Sequence, residues 1–270
     1  MLQQSALAGV LFLVGVFGNS VPMATGGILG TLAGMAAGRL LRVPAADIAA
    51  GLYGFNGALV GMALPAFLAP GWAVFMLIVA GSALSSLLMA TVRRWLGWLP
   101  AYTAPFVLST WLMLAAAAAL ALPPALGDGL PLRPGWVAAV LRGLGQVMFQ
   151  DSALAGLIFL AGLAVHSWRA AAWALAGSLC GLLCALLLGF PADLASAGLF
   201  GFNGALAGIA LGLRPGSRLL LPLAGIVLST LLLRAFQLAG LPALTAPFVL
   251  ASWAVLALQF LWRRAGRGAG

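Results

Sequence analysis

The chain has 270 residues, of which 64% are hydrophobic and only 6% charged, with a mean hydropathy of +1.15. Soluble domains carry about 25% charged residues, so a soluble globular fold is excluded. The 13 basic residues, all arginine, leave a net charge of +9, but they line the edges of apolar stretches without interleaved aromatics, which excludes a nucleic-acid partner.

Crossing a bilayer as a helix takes about 20 apolar residues. In chain order, spans are predicted near 5–20, 22–41, 48–68, 72–92 and 102–122, then near 152–166, 168–188, 196–213, 219–238 and 244–262. No charged stretch with a cleavage site opens the chain, so no removable signal peptide is expected. The glycine-dense run GGILGTLAGMAAG at 26–38 suits a helix that approaches its neighbours closely. Between the two sets of five lies a less regular stretch, about 123–150, with Pro123, Pro124, Pro131 and Pro134. Within it, Trp136–Leu144 is too short to cross and ends at Gly143 and Gly145. Two readings stand for it: a surface amphipathic helix, or a helix that enters the membrane and stops there.

The arginines orient the array. If ten spans alternate from termini on one side, 10 arginines face that side, and Arg133, Arg142 and Arg234 face the other. Arginine-rich loops stay cytoplasmic, so both termini are expected in the cytoplasm, in a multi-pass protein of the cell (inner) membrane with the lipid bilayer as its surroundings. An odd number of spans per half makes the halves inverted.

The halves also repeat in sequence. GLYGFNGALVGMAL at 51–64 and GLFGFNGALAGIAL at 198–211 share 11 of 14 positions. LPAYTAPFVLSTW at 99–111 and LPALTAPFVLASW at 241–253 share 10 of 13, and QSALAGVLFLVG at 4–15 pairs with DSALAGLIFLAG at 151–162. Duplicated hydrophobic units build transporters and channels, with the substrate site where the halves meet.

The solute is bounded chemically. Asp47, Asp128, Asp151 and Asp193 fall in loops or at span ends, and His166 sits at a loop beside Ser167 and Arg169. Ion-coupled paths use intramembrane Asp, Glu or His, so coupling to an ion is disfavoured, and no acid–base pair for an enzyme is present. Cys180 and Cys184, four apart in an apolar span, read as small packing residues, and neither a metal nor a cofactor is expected. A passive path for a neutral solute remains. Phe55 with Leu59, and Phe202 with Leu206, share a helical face at i and i+4; they are either packing residues or the two walls of a narrow apolar slot. Thr103 and Thr245, each two residues before a proline, are either helix N-caps or hydroxyls held at a constriction. Asn56 and Asn203, flanked by glycines, are expected to satisfy local backbone.

At these residues the chain resembles the urea transporter family. The resemblance is carried by GLYGFNGAL at 51–59, GLFGFNGAL at 198–206, LPAYTAPF at 99–106, LPALTAPF at 241–248 and GQVMFQ at 145–150, and it covers nearly the whole chain. It implies an all-α polytopic membrane protein of two inverted five-span repeats, 1–125 and 126–270, with re-entrant pore helices, one of them at about 136–145. It implies a homotrimer with one narrow pore per subunit at the repeat interface, passing urea or small planar amides passively. Carried over residue by residue, the slot is Phe55, Leu59, Phe202, Leu206 and Phe149 with Val147 beside it; the central threonines are Thr103 and Thr245; and the ladder glutamine of the second half is Gln146. The first half departs from the pattern. Aligning Gln4 with Asp151 puts Leu2 where a slot phenylalanine would stand and leaves no first re-entrant helix, so a shortened N-terminus is expected. The alternative is a channel or secondary carrier for another small neutral amide, ammonia or a metabolite.

Overall fold

A computed structural model describes residues 4–125 and 135–267. Leu2, Asp128, Pro131, Arg133 and Pro134 lie outside the described residues. The described residues fold as helices, joined by turns and by one isolated antiparallel bridge between Leu68 and Pro124. Two compact units result. One comprises Phe12–Pro131 with Met148–Gln150, and the other Met1–Leu11, Leu132–Val147 and Asp151–Gly270.

The chain begins with α1 (Ala6–Phe17), which runs from the second of these units into the first. The first unit continues with α2 (Val21–Leu40), α3 (Ala45–Ala49), α4 (Gly54–Phe67), α5 (Trp72–Trp95) and α6 (Ala104–Ala119). Ser20 starts α2 by accepting the Met23 N–H at 3.4 Å, with Pro22 in the first turn, where a missing N–H does no harm. Glycines then recur every fourth residue, at Gly26, Gly30, Gly34 and Gly38, and all are buried. A Cβ on Gly30 would collide with the Gly57 carbonyl, and one on Gly61 with the Gly26 carbonyl. The two backbones therefore touch, the close approach that small residues permit inside a bilayer. From α5, Ser82 donates to the Gly57 carbonyl at 3.2 Å and Ser86 to the Gly34 carbonyl at 2.8 Å, tying a third helix to the same seam.

The second unit contains α7 (Trp136–Gly145) and its 3-10 continuation Gln146–Met148, whose last residue packs with the first unit. It goes on with α8 (Ala153–His166), α9 (Trp168–Leu187), α10 (Ala192–Ser196), α11 (Phe202–Gly212), α12 (Leu220–Leu238) and α13 (Ala246–Arg267). The order α2 to α6 recurs as α9 to α13. So does the backbone seam: Gly177 meets the Gly204 carbonyl and Gly181 the Phe200 carbonyl, the same register as Gly30–Gly57 and Gly34–Tyr53. Trp173 takes the place of Gly26, and its ring fills the space over Gly212.

Among the described residues, four helices are long and apolar enough to cross a membrane: Val21–Leu40, Trp72–Trp95, Trp168–Leu187 and Leu220–Leu238. Trp136–Met148 and Ala153–His166 pass together but meet at a 74° bend. The remaining apolar stretches are shorter: Ala6–Phe17, Gly54–Phe67, Ala104–Ala119, Phe202–Gly212 and the Ala246–Trp262 part of α13. At 1.5 Å per residue, the 11 residues of α11 rise only about 16 Å against a hydrocarbon core of about 30 Å. The spans expected at 48–68 and 196–213 thus hold one short helix each, α4 and α11, preceded by a turn that separates it from α3 or α10. Gly51 and Gly198, both at φ 79°, close α3 and α10 as left-handed stops, with Gly51 N–H bonded to the Ile48 carbonyl and Gly198 N–H to the Ala195 carbonyl. Hydropathy is continuous across these turns and does not register them.

The surface is inverted relative to a soluble protein. Leu32, Trp72, Leu187 and Trp262 are exposed, whereas Ser82, Ser85, Ser178, Ser229 and both motif asparagines are fully buried. Apolar side chains facing outward match a lipid solvent, and the buried Ser82, Ser85, Ser178 and Ser229 each donate to a backbone carbonyl. Arg93 and Arg94 close α5 at its last turn, where Arg93 pairs with Asp47 at 3.0 Å.

Candidate functional site

In the first unit the repeated motif opens α4. Phe55 is half-buried and Leu59 buried one turn later on the same face. Asn56, between them in sequence, is fully buried, and its Oδ1 accepts the backbone N–H of Phe106 at 3.1 Å, 50 residues away. Phe106 is the third residue of α6. A helix beginning inside apolar surroundings exposes N–H groups that need acceptors. Pro105 removes one such donor and Asn56 satisfies the next. Thr103 occupies the N-cap position of α6, yet its side chain makes no capping bond. Of the two roles open to Thr103, capping is therefore taken by another residue. Tyr102, just before it, is left-handed at φ 47°, which turns the chain sharply into the buried Thr103.

The second unit repeats this construction. Asn203 Oδ1 accepts the Phe248 N–H at 3.0 Å at the start of α13, and Leu244 is again left-handed at φ 47°. Thr245 follows, 3% exposed like Thr103. Asn203 also donates its Nδ2 to the Leu244 carbonyl at 3.3 Å, whereas Asn56 Nδ2 has no partner among the described residues. The asparagines thus reach remote backbone rather than the local backbone expected of them. Phe202 and Leu206 on α11 are both buried.

The second unit also anchors the end of α7. Its first turn is exposed at Trp136 and Val137, but Arg142 through Gly145 are buried. Arg142 Nη1 donates to the Ser196 carbonyl at 3.0 Å and Gln146 Nε2 to the Ala197 carbonyl at 3.1 Å. These residues, one turn apart, clasp the C-terminal carbonyls of α10. The amide nitrogen of Gln146 is thereby committed to α10. Val147 beside it is buried. Ser178 of α9 donates to the Val140 carbonyl at 2.7 Å, and Gly156 of α8 lies against the Leu141 backbone.

Phe149 packs within the first unit. It is left-handed at φ 61°, and its ring meets Phe67 edge-on at 6.3 Å and Phe106 at 6.2 Å, the geometry aromatic quadrupoles favour. Phe106 therefore serves twice: its N–H holds Asn56 and its ring supports Phe149. Sequence reading did not single out Asn56 and Asn203 as helix-start acceptors, nor Phe67, Phe106 or Arg142. The available signal was that FNG and TAPF are copied together.

The chemistry this permits is uncharged. Among the described residues no three His, Cys, Asp or Glu side chains gather as a metal site, and Asp47, Asp151 and Asp193 are not buried. What is duplicated is a hydroxyl, an aromatic ring and a leucine.

Comparison with known proteins gives a consistent result. The family described as Urea transporter matches residues 1–260. Proteins named Urea transporter 1 from Ovis aries and Capra hircus are each 30% identical over 225 residues, and that from Mus musculus is 31% identical. Each alignment covers 76% of this chain and 58% of the relative. The chain thus spans little more than half the length of the curated relatives it matches.

Proposed function

The chain belongs to the urea transporter family, and we propose that it passes urea across a membrane passively, as a channel and not as an enzyme. The observation that carries the site is the doubled helix start: Asn56–Phe106 and Asn203–Phe248 each present a buried threonine at the same place. Urea is planar, neutral and rich in N–H donors. Thr103, Thr245 and the Oε1 of Gln146 replace the water those donors lose, while Phe55, Leu59, Phe202, Leu206 and Phe149, with Val147, pass its flat faces. A cation entering such a path would shed hydration with no carboxylate in return, so ammonium is rejected.

The proposal extends to arrangement. The halves, 1–125 and 126–270, are inverted repeats, supported by the odd number of spans read in each half and by the 10-to-3 distribution of arginines. The segment 136–145 is a re-entrant helix, supported by its 10-residue length, its buried end and the 74° bend that follows. The assembly is a homotrimer in the cell membrane with cytoplasmic termini, as the family resemblance implies.

Uptake of isotopically labelled urea into proteoliposomes tests the passive reading. Equal rates with and without imposed proton or sodium gradients are expected; uptake that requires either gradient would replace the channel with a coupled carrier.

A further inference from the structure

Phe149 adopts a left-handed backbone that bulky side chains rarely take, and the residue after it explains how the conformation is kept. Gln150 is fully buried. Its Oε1 accepts Nδ2 of Asn19 at 3.0 Å, and its Nε2 donates to the Met148 carbonyl and approaches Met23 Sδ at 3.2 Å. One amide thus grips the residue before Phe149 on one side and the entry to α2 on the other. That entry is itself firm. Asn19 N–H bonds to the Val16 carbonyl at 3.1 Å, and Ser20 caps α2 on the Met23 N–H. Phe149 is bracketed: its ring lies against Phe67 and Phe106, and its flanking backbone is pinned to α2.

We propose that Gln150 and Asn19 form a latch that fixes the Phe149 ring, making Gln150 a positioning residue for solute selectivity. This rests on the reading that Phe149 lines the urea path. In the register that pairs Gln4 with Asp151, Gln150 matches Gln3, which lies outside the described residues, whereas the Asn19 side of the latch differs between the copies. The position matching Asn19 in the second copy is His166, which like Asn19 precedes a serine N-cap (Ser167, as Ser20). His166 is exposed, and among the described residues no side-chain bond like that of Asn19 to Gln150 is found there. A buried glutamine kept only for packing would not need a donor reached across 131 residues; apolar residues fill such space without the cost of desolvating an amide.

The test uses the full chain in proteoliposomes, with shrinkage followed for urea and for N-methylurea. Gln150→Leu and Asn19→Ala should each lower the urea to N-methylurea permeability ratio about three-fold, the scale of losing one well-placed aromatic edge contact. In a Phe149→Ala background, Gln150→Leu should leave the ratio where Phe149→Ala alone puts it. An unchanged ratio in both single variants, or an equal shift with and without the Phe149 ring, overturns the latch. Asn19 is exposed, so Asn19→Ala carries the same comparison if Gln150→Leu does not fold. Wild-type urea rates equal to those of empty vesicles would instead remove the urea reading, and the latch's role with it.

Discussion

Asn203 and Phe248 are joined by a 3.0 Å hydrogen bond from a helix-start N–H to a side-chain oxygen, across 45 residues of chain. Asn56 and Phe106 repeat it at 3.1 Å. The bond explains how a helix begins deep in an apolar interior: an amide from a neighbouring helix does what water does at a surface. It also fixes where the preceding threonine stands, which links a stability device to the path proposed for the solute.

The two asparagines differ in what they satisfy, and that difference is measurable. Asn203→Leu strips partners from the Phe248 N–H and the Leu244 carbonyl. Asn56→Leu strips only the Phe106 N–H and removes an Nδ2 that has no partner among the described residues. A buried unsatisfied group costs about 1–3 kcal/mol. Both variants should melt earlier in detergent, and Asn203→Leu earlier by several degrees. Equal midpoints would remove the asymmetry.

Thr245→Val keeps shape and deletes a hydroxyl. Losing one hydrogen bond in transit is worth about 0.5–1.5 kcal/mol, so urea flux should fall roughly three- to ten-fold. Normal flux would make Thr245 a packing residue.

Phe202→Ala removes a buried ring from the path proposed beside Leu206. Selectivity between urea and larger amides should loosen while urea still passes. If flux of all amides falls together, the ring supports the fold rather than the path.

The glycine seams give a prediction about folding alone. Gly57→Ala and Gly204→Ala press a methyl into the carbonyls of Gly30 and Gly177, and overpacking of this kind costs about 1–3 kcal/mol. Gly71→Ala, with no heavy atom within 4 Å of the added carbon, serves as the control. Thermal midpoints in detergent should fall for the first two and hold for the third.

The duplication made much of this legible before any coordinates. It marked Phe55, Thr103, Phe202 and Thr245 by copying them, and the short apolar stretch ending at Gly145 marked α7. Other features were hidden for physical reasons. Hydropathy reads 48–68 and 196–213 as continuous because the breaks at Gly51 and Gly198 are matters of dihedral angle. The asparagine contacts span 45 and 50 residues, beyond any local pattern. Phe149 shows no sign in sequence of the rings that hold it, since Phe67 and Phe106 come from different helices.

The central claim is that an uncharged path through this chain carries urea. Stopped-flow light scattering of proteoliposomes containing the full chain, mixed with a urea gradient, tests it most directly. The account predicts urea equilibration far faster than in empty liposomes, with no matching rise for ammonium. Urea rates indistinguishable from empty liposomes, with the protein folded and inserted, would contradict it.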